Sequence, residues 1–156
     1  MKPLHRAEKL RACARIAQEI GVEQLRRVVS SDPAAARKLL KRFPGIGDPG
    51  ADRILLLARS QASLAPESNA LRVLLRLGFG EESKDYARSY RSVIASLAPE
   101  LPTDFDWMIE AHQLLRRHGQ EVCRRSNPRC ELCPLTSGCA AYLRWRAKPG
   151  RPPPGA

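Results

Sequence analysis

Four of the chain's five cysteines lie in one short stretch, "CRRSNPRCELCPLTSGC", which covers residues 123–139. The spacing is Cys-x6-Cys-x2-Cys-x5-Cys, formed by Cys123, Cys130, Cys133 and Cys139. Cysteines that are close in sequence can gather around a metal at a small cost in loop-closure entropy. The stretch is therefore expected to fold around its sulfur atoms, as a disulfide framework, a zinc site or an iron–sulfur site.

A disulfide framework is the least favoured of these three. The N-terminal segment, "MKPLHRAEKLRACARIAQEIG", lacks the apolar core of a secretory signal, and no window approaches the ~20 apolar residues of a membrane span. We expect a cytoplasmic protein with no membrane association, in a compartment where disulfides do not persist. Zinc and a cubane iron–sulfur cluster can each bind four thiolates. Zinc sites more often contain two Cys-x2-Cys pairs and this stretch has one, so both metals remain open.

The chain carries a strong excess of positive charge. It has 27 Lys and Arg against 16 Asp and Glu, for a net charge of +11 in 156 residues. Such an excess attracts polyanions, and most of it is arginine, whose planar fork suits phosphate. A basic protein can also be merely soluble, but nucleic acid is the favoured partner. The 43% of hydrophobic residues is enough for one globular domain.

Hydrophobic periodicity and capping residues predict an all-α fold, since no segment shows sustained β alternation. Gly21, Gly78 and Gly119 are expected to end helices. The predicted helices are about 4–20, 33–43, 49–59, a segment from Ser68 to before Gly78, a segment within "DYARSYRSVIASLAPEL", and one from Pro102 or Thr103 to Gly119. The Pro/Gly-rich tail "KPGRPPPGA" is predicted to be disordered.

The segment "LLKRFPGIGDPGADRILLLA" predicts a helix, a tight glycine turn and a second helix. Gly45 and Gly47 allow close approach of the backbone, and consecutive N–H groups at a helix N-terminus form an anion site. Lys41, Arg42 and Arg53 add positive charge nearby. The alternative is a plain turn between packed helices. The basic composition favours binding of a DNA phosphate without sequence readout.

These motifs together resemble a known family. Residues 43–47 and Ala51 resemble the helix-hairpin-helix motif. The cysteine spacing, with His118 and Gly119 shortly before it, resembles the cluster loop of the endonuclease III family of DNA glycosylases. The segment "RAEKLRACARIAQEIG" resembles the helix that this family places before the hairpin, so the resemblance extends over about residues 6–143. It implies an all-α, helix-hairpin-helix glycosylase-like bundle with an iron–sulfur cluster loop.

The resemblance also implies ligands and partners. The four cysteines would hold a [4Fe-4S] cluster that shapes the loop and is not the hydrolytic catalyst, with zinc as the alternative. The partner would be double-stranded DNA, bound mainly through phosphates by a monomer, at the nucleoid if the source is bacterial. For Arg124, Arg125 and Arg129, the alternative to DNA contact is that they belong to a solvated basic loop. The residues expected at the DNA are Gly45, Ile46, Gly47, Lys41, Arg124, Arg125 and Arg129.

The active-site positions depart from the family pattern. Pro49 occupies the position of the lysine that forms a Schiff base in bifunctional members, so lyase chemistry is not expected. Glu67 occupies the position of the family aspartate, in "PESNALRV". A carboxylate there would stabilise an oxocarbenium-like sugar or orient water. Its alternative role is that of an acid favoured at a helix N-terminus. The resemblance thus implies a base-excision-repair DNA N-glycosylase without Schiff-base lyase activity.

The expected organisation has three parts. Residues 1–62 form a partial six-helix-type domain that ends in the hairpin, at about residues 36–59. Residues 63–143 form the cluster domain, and residues 144–156 form a basic, Pro-rich tail that is expected to be disordered. In the family several helices precede the "RAEKL" helix, so the resemblance implies that these N-terminal helices are missing. A non-catalytic iron–sulfur DNA-binding protein, or a truncated glycosylase, is therefore the alternative function.

Overall fold

The computed structural model describes residues 3–147, and every regular element among them is helical. The α-helices are α1 Pro3–Ile20, α2 Val22–Ser31, α3 Pro33–Leu40, α4 Asp48–Leu57, α5 Ser68–Leu77, α6 Tyr86–Leu97, α7 Phe105–Glu121 and α8 Ala140–Arg146. The all-α prediction is confirmed. Within these residues no helix has both the length and the apolar character that crossing a membrane requires. Of the predicted disordered tail, residues 148–156 lie outside the described residues, and Arg144–Arg146 belong to α8.

The described chain divides into two compact units. The first contains the residues up to Ala65 together with Thr103–Met108. The second contains Pro66–Pro102 and the residues from Ile109 onward. The glycine turn belongs to the first unit, and the cysteine stretch belongs to the second.

The core of the first unit lies between α3 and α4. Ala36 and Leu40 of α3 cluster with Ala51 and Leu55 of α4, and all four are buried. The start of α3 follows the expected capping pattern, because the Asp32 carboxylate accepts a hydrogen bond from the Ala35 amide at 3.0 Å. The hydrophobic contact between these two helices fixes the geometry of the turn that joins them. Partly buried side chains that pack against this cluster are Val28, Val29, Ile46 and Ile54.

The helix α2 has no counterpart among the predicted helices. Its N-cap is Gly21, whose φ of 82° lies in the left-handed region and which offers no side chain for capping. Without a capping side chain, the sequence of α2 shows no clear helix start. The β-branched pair Val28 and Val29 inside it also lowers its helix propensity. The helix α1 contacts α2 but buries no residue completely, and its Leu10 is 65% exposed.

The second unit is built around α5, which contacts α6 and α8. α5 buries Leu71, Val73 and Leu74, and it ends at Gly78, which has a φ of 110°. The Phe79 amide donates to the Leu74 carbonyl at 3.0 Å, which closes the helix as a left-handed cap. The prediction that Gly78 ends this helix is confirmed.

Both ends of α7 differ from the prediction. The helix begins at Phe105, with the Asp104 carboxylate accepting from the Trp107 amide at 2.7 Å, rather than at Pro102 or Thr103. It also continues through Gly119 to Glu121. A Cβ atom at Gly119 would lie 2.6 Å from the backbone oxygen of Asn69, a distance that real Cβ atoms essentially never show. Gly119 therefore permits the first turn of α5 to approach α7 and does not end the helix.

Candidate functional site

The turn between α3 and α4 begins earlier in the chain than the sequence suggested. α3 ends at Leu40 and not at Phe43. The amides of Arg42 and Phe43 then donate to the carbonyls of Leu39 and Leu40, at 3.1 Å each, which continues the chain as 3₁₀-type turns. Gly45 follows with a φ of 95°, which only glycine adopts without strain. The turn thus depends on the glycine that the sequence places there.

The N-terminus of α4 has the features of an anion site. Its N-cap is Gly47, which offers no side chain for a capping hydrogen bond. Pro49 lies in this first turn and has no amine to offer. The Lys41 ammonium binds the Asp48 carboxylate at 2.7 Å, so the acidic residue beside the turn partly neutralises a predicted DNA-binding residue. The turn therefore offers backbone donors next to a paired lysine.

A buried ion pair joins the two helices of the hairpin. The guanidinium of Arg37 on α3 binds the carboxylate of Asp52 on α4. Asp52 is almost completely buried, and Arg37 is 34% exposed. Charges removed from water in this way must remain paired, because the loss of one partner leaves the other uncompensated. Local sequence patterns do not indicate this pair, because its members lie fifteen residues apart.

Glu67 is the N-cap residue of α5, the helix that was predicted from Ser68 onward. One carboxylate oxygen accepts hydrogen bonds from the amides of Asn69 and Ala70 at 2.9 and 3.0 Å. The other accepts from the Asn69 side-chain amide at 2.9 Å and from the Ser68 hydroxyl at 3.4 Å. The carboxylate is therefore held rigidly by its own helix, and its half-buried position leaves it partly accessible.

Two arginines one turn apart on α5 hold the segment that leads into the cysteine stretch. The Arg72 guanidinium donates to the carbonyls of Gly119 and Cys123 at 2.7 and 3.1 Å. The Arg76 guanidinium donates to the Arg124 carbonyl at 2.7 Å and to the Cys123 sulfur at 3.3 Å. Burial is the main reason that the pKa of Arg72 is lowered, with the charge of Arg76 adding to the effect. Their spacing of four residues on one helix was the signal that could have identified them.

The four cysteines of the stretch line one cavity of about 350 Å³ in the second unit. All four thiols are free and half-buried. Within residues 3–147, no three His, Cys, Asp or Glu side chains converge closely enough to hold a single metal ion. The four predicted ligands therefore surround a cavity and do not converge on one position that a single metal ion could occupy. The cysteines concerned are Cys123, Cys130, Cys133 and Cys139.

The electrostatics of this cavity disfavour free thiolates. Burial raises the pKa of the Cys130 thiol, and the three neighbouring cysteines raise it further. Burial also raises the pKa of Cys133, whose sulfur lies 3.6 Å from His118 Nε2. Burial lowers the pKa of His118, which favours the neutral imidazole. Without a bound cation the two cysteines are protonated, so binding of a metal would release protons.

Two aromatic residues of α8, which were not predicted as site residues, also line the cavity. Tyr142 and Trp145 follow the last cysteine by three and six residues. Their spacing places both rings on one helix face, which was the available signal. The three loop arginines predicted to contact DNA have exposed side chains, and Arg125 and Arg129 also line the cavity. The cavity therefore lies beneath a basic surface.

Comparison with solved structures identifies the fold. The chain superimposes with a TM-score of 0.64 and 22% identity on a structure titled as a trapped endonuclease III–DNA covalent intermediate, over 91% of this chain and 60% of that one. A structure titled as a non-covalent endonuclease III–DNA complex aligns with a TM-score of 0.56 and 24% identity, over 72% of this chain and 50% of that chain. The fold is therefore the helix-hairpin-helix fold of endonuclease III structures.

Sequence comparison agrees with the fold. The chain is 26% identical over 108 residues to an endonuclease III from Rickettsia conorii, covering 68% of this chain and 47% of that protein. It is 32% identical over 129 residues to an adenine DNA glycosylase from Mus musculus, covering 77% of this chain and 24% of that protein. The curated relatives and the fold are those of the endonuclease III superfamily. A thymine/uracil-DNA glycosylase from Pyrobaculum aerophilum is 27% identical over 146 residues, covering 86% of this chain and 58% of that protein.

The match to the endonuclease III superfamily is partial in length. The chain spans about half the length of the endonuclease III proteins that it matches. No model of a known protein family matches the chain. The likeness to the endonuclease III superfamily therefore rests on the fold and on the sequence relatives together.

Proposed function

We propose that this protein binds double-stranded DNA and acts as a DNA N-glycosylase in base excision repair, without Schiff-base lyase activity. The observation that carries the proposal is the pairing of two features in one chain of the endonuclease III superfamily. One is the glycine turn with an uncapped helix N-terminus, and the other is the cavity lined by four cysteines. The cytoplasmic location and the monomeric state remain part of the proposal.

The hairpin supports binding to a phosphate of the DNA backbone. Gly45, Ile46 and Gly47 form the turn, and the N-cap Gly47 offers no side-chain acceptor to the first turn of α4. A phosphate would accept hydrogen bonds from these amides and would interact favourably with the helix dipole. Lys41 and the exposed side chains of Arg124, Arg125 and Arg129 would contact further phosphates through charge. Such contacts position the protein on a duplex without reading bases.

The cysteine cavity supports a [4Fe-4S] cluster more than a zinc ion. Four thiolates around one zinc ion at 2.3 Å would lie about 3.8 Å from one another, with no cavity left between them. A cubane cluster offers each cysteine a different iron and requires a space among the four sulfurs. The cavity of about 350 Å³ and its four thiol donors fit the larger group. When bound, the cluster would supply a structural centre for the loop and would not take part in hydrolysis.

Pro49 supports the absence of lyase chemistry. A Schiff base requires an amine at the sugar, and Pro49 occupies the position of the family lysine in the first turn of α4. Base release would therefore leave an intact strand with an abasic site. The resulting product class is the one expected of a monofunctional glycosylase.

Glu67 is the proposed catalytic carboxylate. Its hydrogen bonds to the first turn of α5 hold the negative charge in place, as required for stabilising an oxocarbenium-like sugar. The same bonds also satisfy the helix N-terminus, which is a structural role in its own right. This double use favours a second candidate function, a non-catalytic iron–sulfur protein that binds DNA. A truncated glycosylase without turnover would behave in the same way.

Base release from defined duplexes tests the two candidates. The substrates are duplexes with a uracil or thymine opposite guanine and with an adenine mispair, the base types in the names of the relatives. The proposed glycosylase releases a base, yields strand cleavage only after alkali, and forms no borohydride-trapped complex. Binding of all duplexes without release would support the second candidate, and a trapped complex would overturn the loss of lyase activity.

Substitution of Glu67 separates catalysis from capping. Glu67→Gln keeps the shape of the side chain and removes its charge, whereas Asp85→Asn makes the same change at the N-cap of α6. We expect Glu67→Gln to lower base release by on the order of a hundredfold or more and Asp85→Asn to leave it nearly unchanged. Equal release by Glu67→Gln and the parent protein would remove Glu67 from the mechanism.

Metal analysis tests the cofactor separately. We expect the purified protein to be brown and to contain iron and acid-labile sulfide. A Cys133→Ser variant should lose the colour, and a Cys13→Ser variant, which changes the cysteine outside the stretch, should keep it. A colourless protein that contains zinc in place of iron would overturn the [4Fe-4S] proposal.

A further inference from the structure

The last helix of the second unit begins at a proposed metal ligand. Cys139 is the N-cap of α8, and its carbonyl accepts from the Leu143 amide at 2.9 Å. The Cys139 sulfur donates to the Arg76 carbonyl of α5 at 3.4 Å. A Cβ atom at Gly78 would lie 3.2 Å from the Cβ of Ala140, so the end of α5 lies tightly against the start of α8. α8 is therefore fixed in position relative to the cavity.

One face of α8 lines the cysteine cavity. Ala141, Tyr142 and Trp145 are cavity-lining residues and are half-buried. Leu143 and Arg144, which lie between them in sequence, are exposed. This division follows the helical period, in which residues three and four apart share a face. The short helix thus presents its two aromatic rings to the cavity, and its opposite face, with Leu143 and Arg144, lies in solvent.

The two rings form a continuous surface. The centroids of the Tyr142 and Trp145 rings lie 5.5 Å apart, at an interplanar angle of 41°. The exposed Arg146 places its guanidinium 5.9 Å from the centroid of the Tyr142 ring. Ring contacts at these distances are favourable and restrict the rotamers of both side chains. The aromatic pair is therefore an ordered part of the cavity wall.

We propose that Tyr142 and Trp145 form an aromatic cover that excludes water and small solutes from the group held by the four cysteines. The inference rests on the proposed [4Fe-4S] cluster and assigns these residues a protective role at that site. An apolar shell around a metal centre controls solvent access, and with it the lifetime of the centre. The wide, flat indole covers more of an opening than any other side chain could, so its removal exposes the cluster.

Release of iron to a chelator measures the cover directly. Parent protein, Trp145→Ala, Trp145→Phe, Tyr142→Ala and Leu143→Ala are incubated without oxygen with bathophenanthroline disulfonate. The coloured ferrous complex and the visible absorption of the protein are recorded over time. Leu143→Ala is the matched control, since Leu143 lies on the same helix and is 47% exposed. Circular dichroism and the initial iron content show which variants are folded and loaded.

We expect Trp145→Ala and Tyr142→Ala to release iron at least about threefold faster than the parent protein, because solvent reaches the centre through the opened wall. Trp145→Phe should release it at an intermediate rate and Leu143→Ala at the parental rate. Equal rates for loaded parent protein and loaded Trp145→Ala would overturn the cover and leave the cluster proposal intact. A parent protein without iron would overturn both.

Fluorescence keeps the inference testable if Trp145→Ala does not fold. The chain contains two tryptophans, Trp107 and Trp145, so Trp107→Phe isolates the indole of interest. A ring that covers the cluster should be quenched strongly in the loaded protein and should brighten as iron is removed. Fluorescence that does not change on iron removal would contradict the proposed position of the ring beside the cluster.

Discussion

At the scale of single residues, the glycines of this chain serve different structural purposes. Gly45 and Gly78 have positive φ values and permit turns that other residues would adopt only with strain. Gly119 lies inside α7, where the requirement is space, because the backbone of Asn69 approaches it. A glycine at the end of a hydrophobic pattern therefore indicates either a stop or a close contact, and sequence alone does not distinguish them.

A substitution at Gly119 measures the close contact. Gly119→Ala should lower the free energy of unfolding by about 3 kcal/mol, since the new methyl group must displace the backbone of α5. Gly138→Ala is the control, because a Cβ atom there meets nothing within 4 Å. Denaturant unfolding followed by circular dichroism gives both values. If the Gly119 variant unfolds at the parental midpoint, α5 does not contact α7 at this point in solution.

The buried ion pair of the hairpin allows a second prediction at this scale. Asp52→Asn should lower the free energy of unfolding by about 3 kcal/mol, the low end for broken buried pairs, because Arg37 retains 34% exposure. Asp106→Asn removes one partner of an exposed pair with Arg59 and should change stability little. Thermal unfolding of both variants provides the comparison. Similar shifts for the two would show that burial adds nothing to the Arg37–Asp52 pair.

At the scale of elements, the hairpin combines a rigid core with an acidic neighbour. Its two helices are held by buried apolar residues and by the Arg37–Asp52 pair, which fixes the turn. The first residue of α4, Asp48, binds Lys41 and places negative charge beside the amides proposed to bind phosphate. The hairpin is therefore well formed but is not optimised electrostatically for an anion.

Removal of the Asp48 charge should strengthen binding to DNA. Asp48→Asn should raise the affinity for duplex DNA about threefold, in line with the 0.3–1 kcal/mol effect of one charge at a helix terminus. Glu110→Gln, the same change on the exposed side of α7, should leave the affinity nearly unchanged. Fluorescence anisotropy with a labelled duplex at low salt measures both. An unchanged affinity for the Asp48 variant would argue that phosphate does not bind at the hairpin.

At the scale of the whole molecule, the net charge of +11 is the property that acts at long range. It raises the local concentration of a polyanion around the protein before any specific contact forms. The exposed arginines of the cysteine stretch are proposed to convert this attraction into individual phosphate contacts. Each such contact releases counterions and therefore contributes to the salt dependence of binding.

The salt dependence of DNA binding counts these contacts. With about four phosphate contacts, the affinity should fall about a hundredfold between 50 and 200 mM salt. Arg124→Ala together with Arg129→Ala should reduce the slope of log K against log salt by about two. Arg91→Ala, which removes an exposed arginine from α6, is the control and should leave the slope unchanged. A loop variant with the parental slope would exclude these arginines from the contact with DNA.

The sequence by itself determined the features that depend on neighbouring residues. The helical class, the start of α3 at Asp32 and the end of α5 at Gly78 follow from periodicity and from local backbone preferences. The four cysteines are drawn to one cavity because the loop that carries them is short. The absence of a side-chain amine at position 49 likewise follows directly from the identity of the residue, Pro49.

Only the tertiary structure decided the features that depend on contacts between distant residues. The Arg37–Asp52 pair and the approach of Asn69 to Gly119 each join two separate helices. The bonds from Arg76 join α5 to the cysteine stretch. Periodicity shows which face of a helix is apolar and cannot show which helix will cover it, because packing is a property of the assembled chain. For the same reason, the position of Trp145 in the cavity wall depends on the packing of α8 against α5 and does not follow from local sequence.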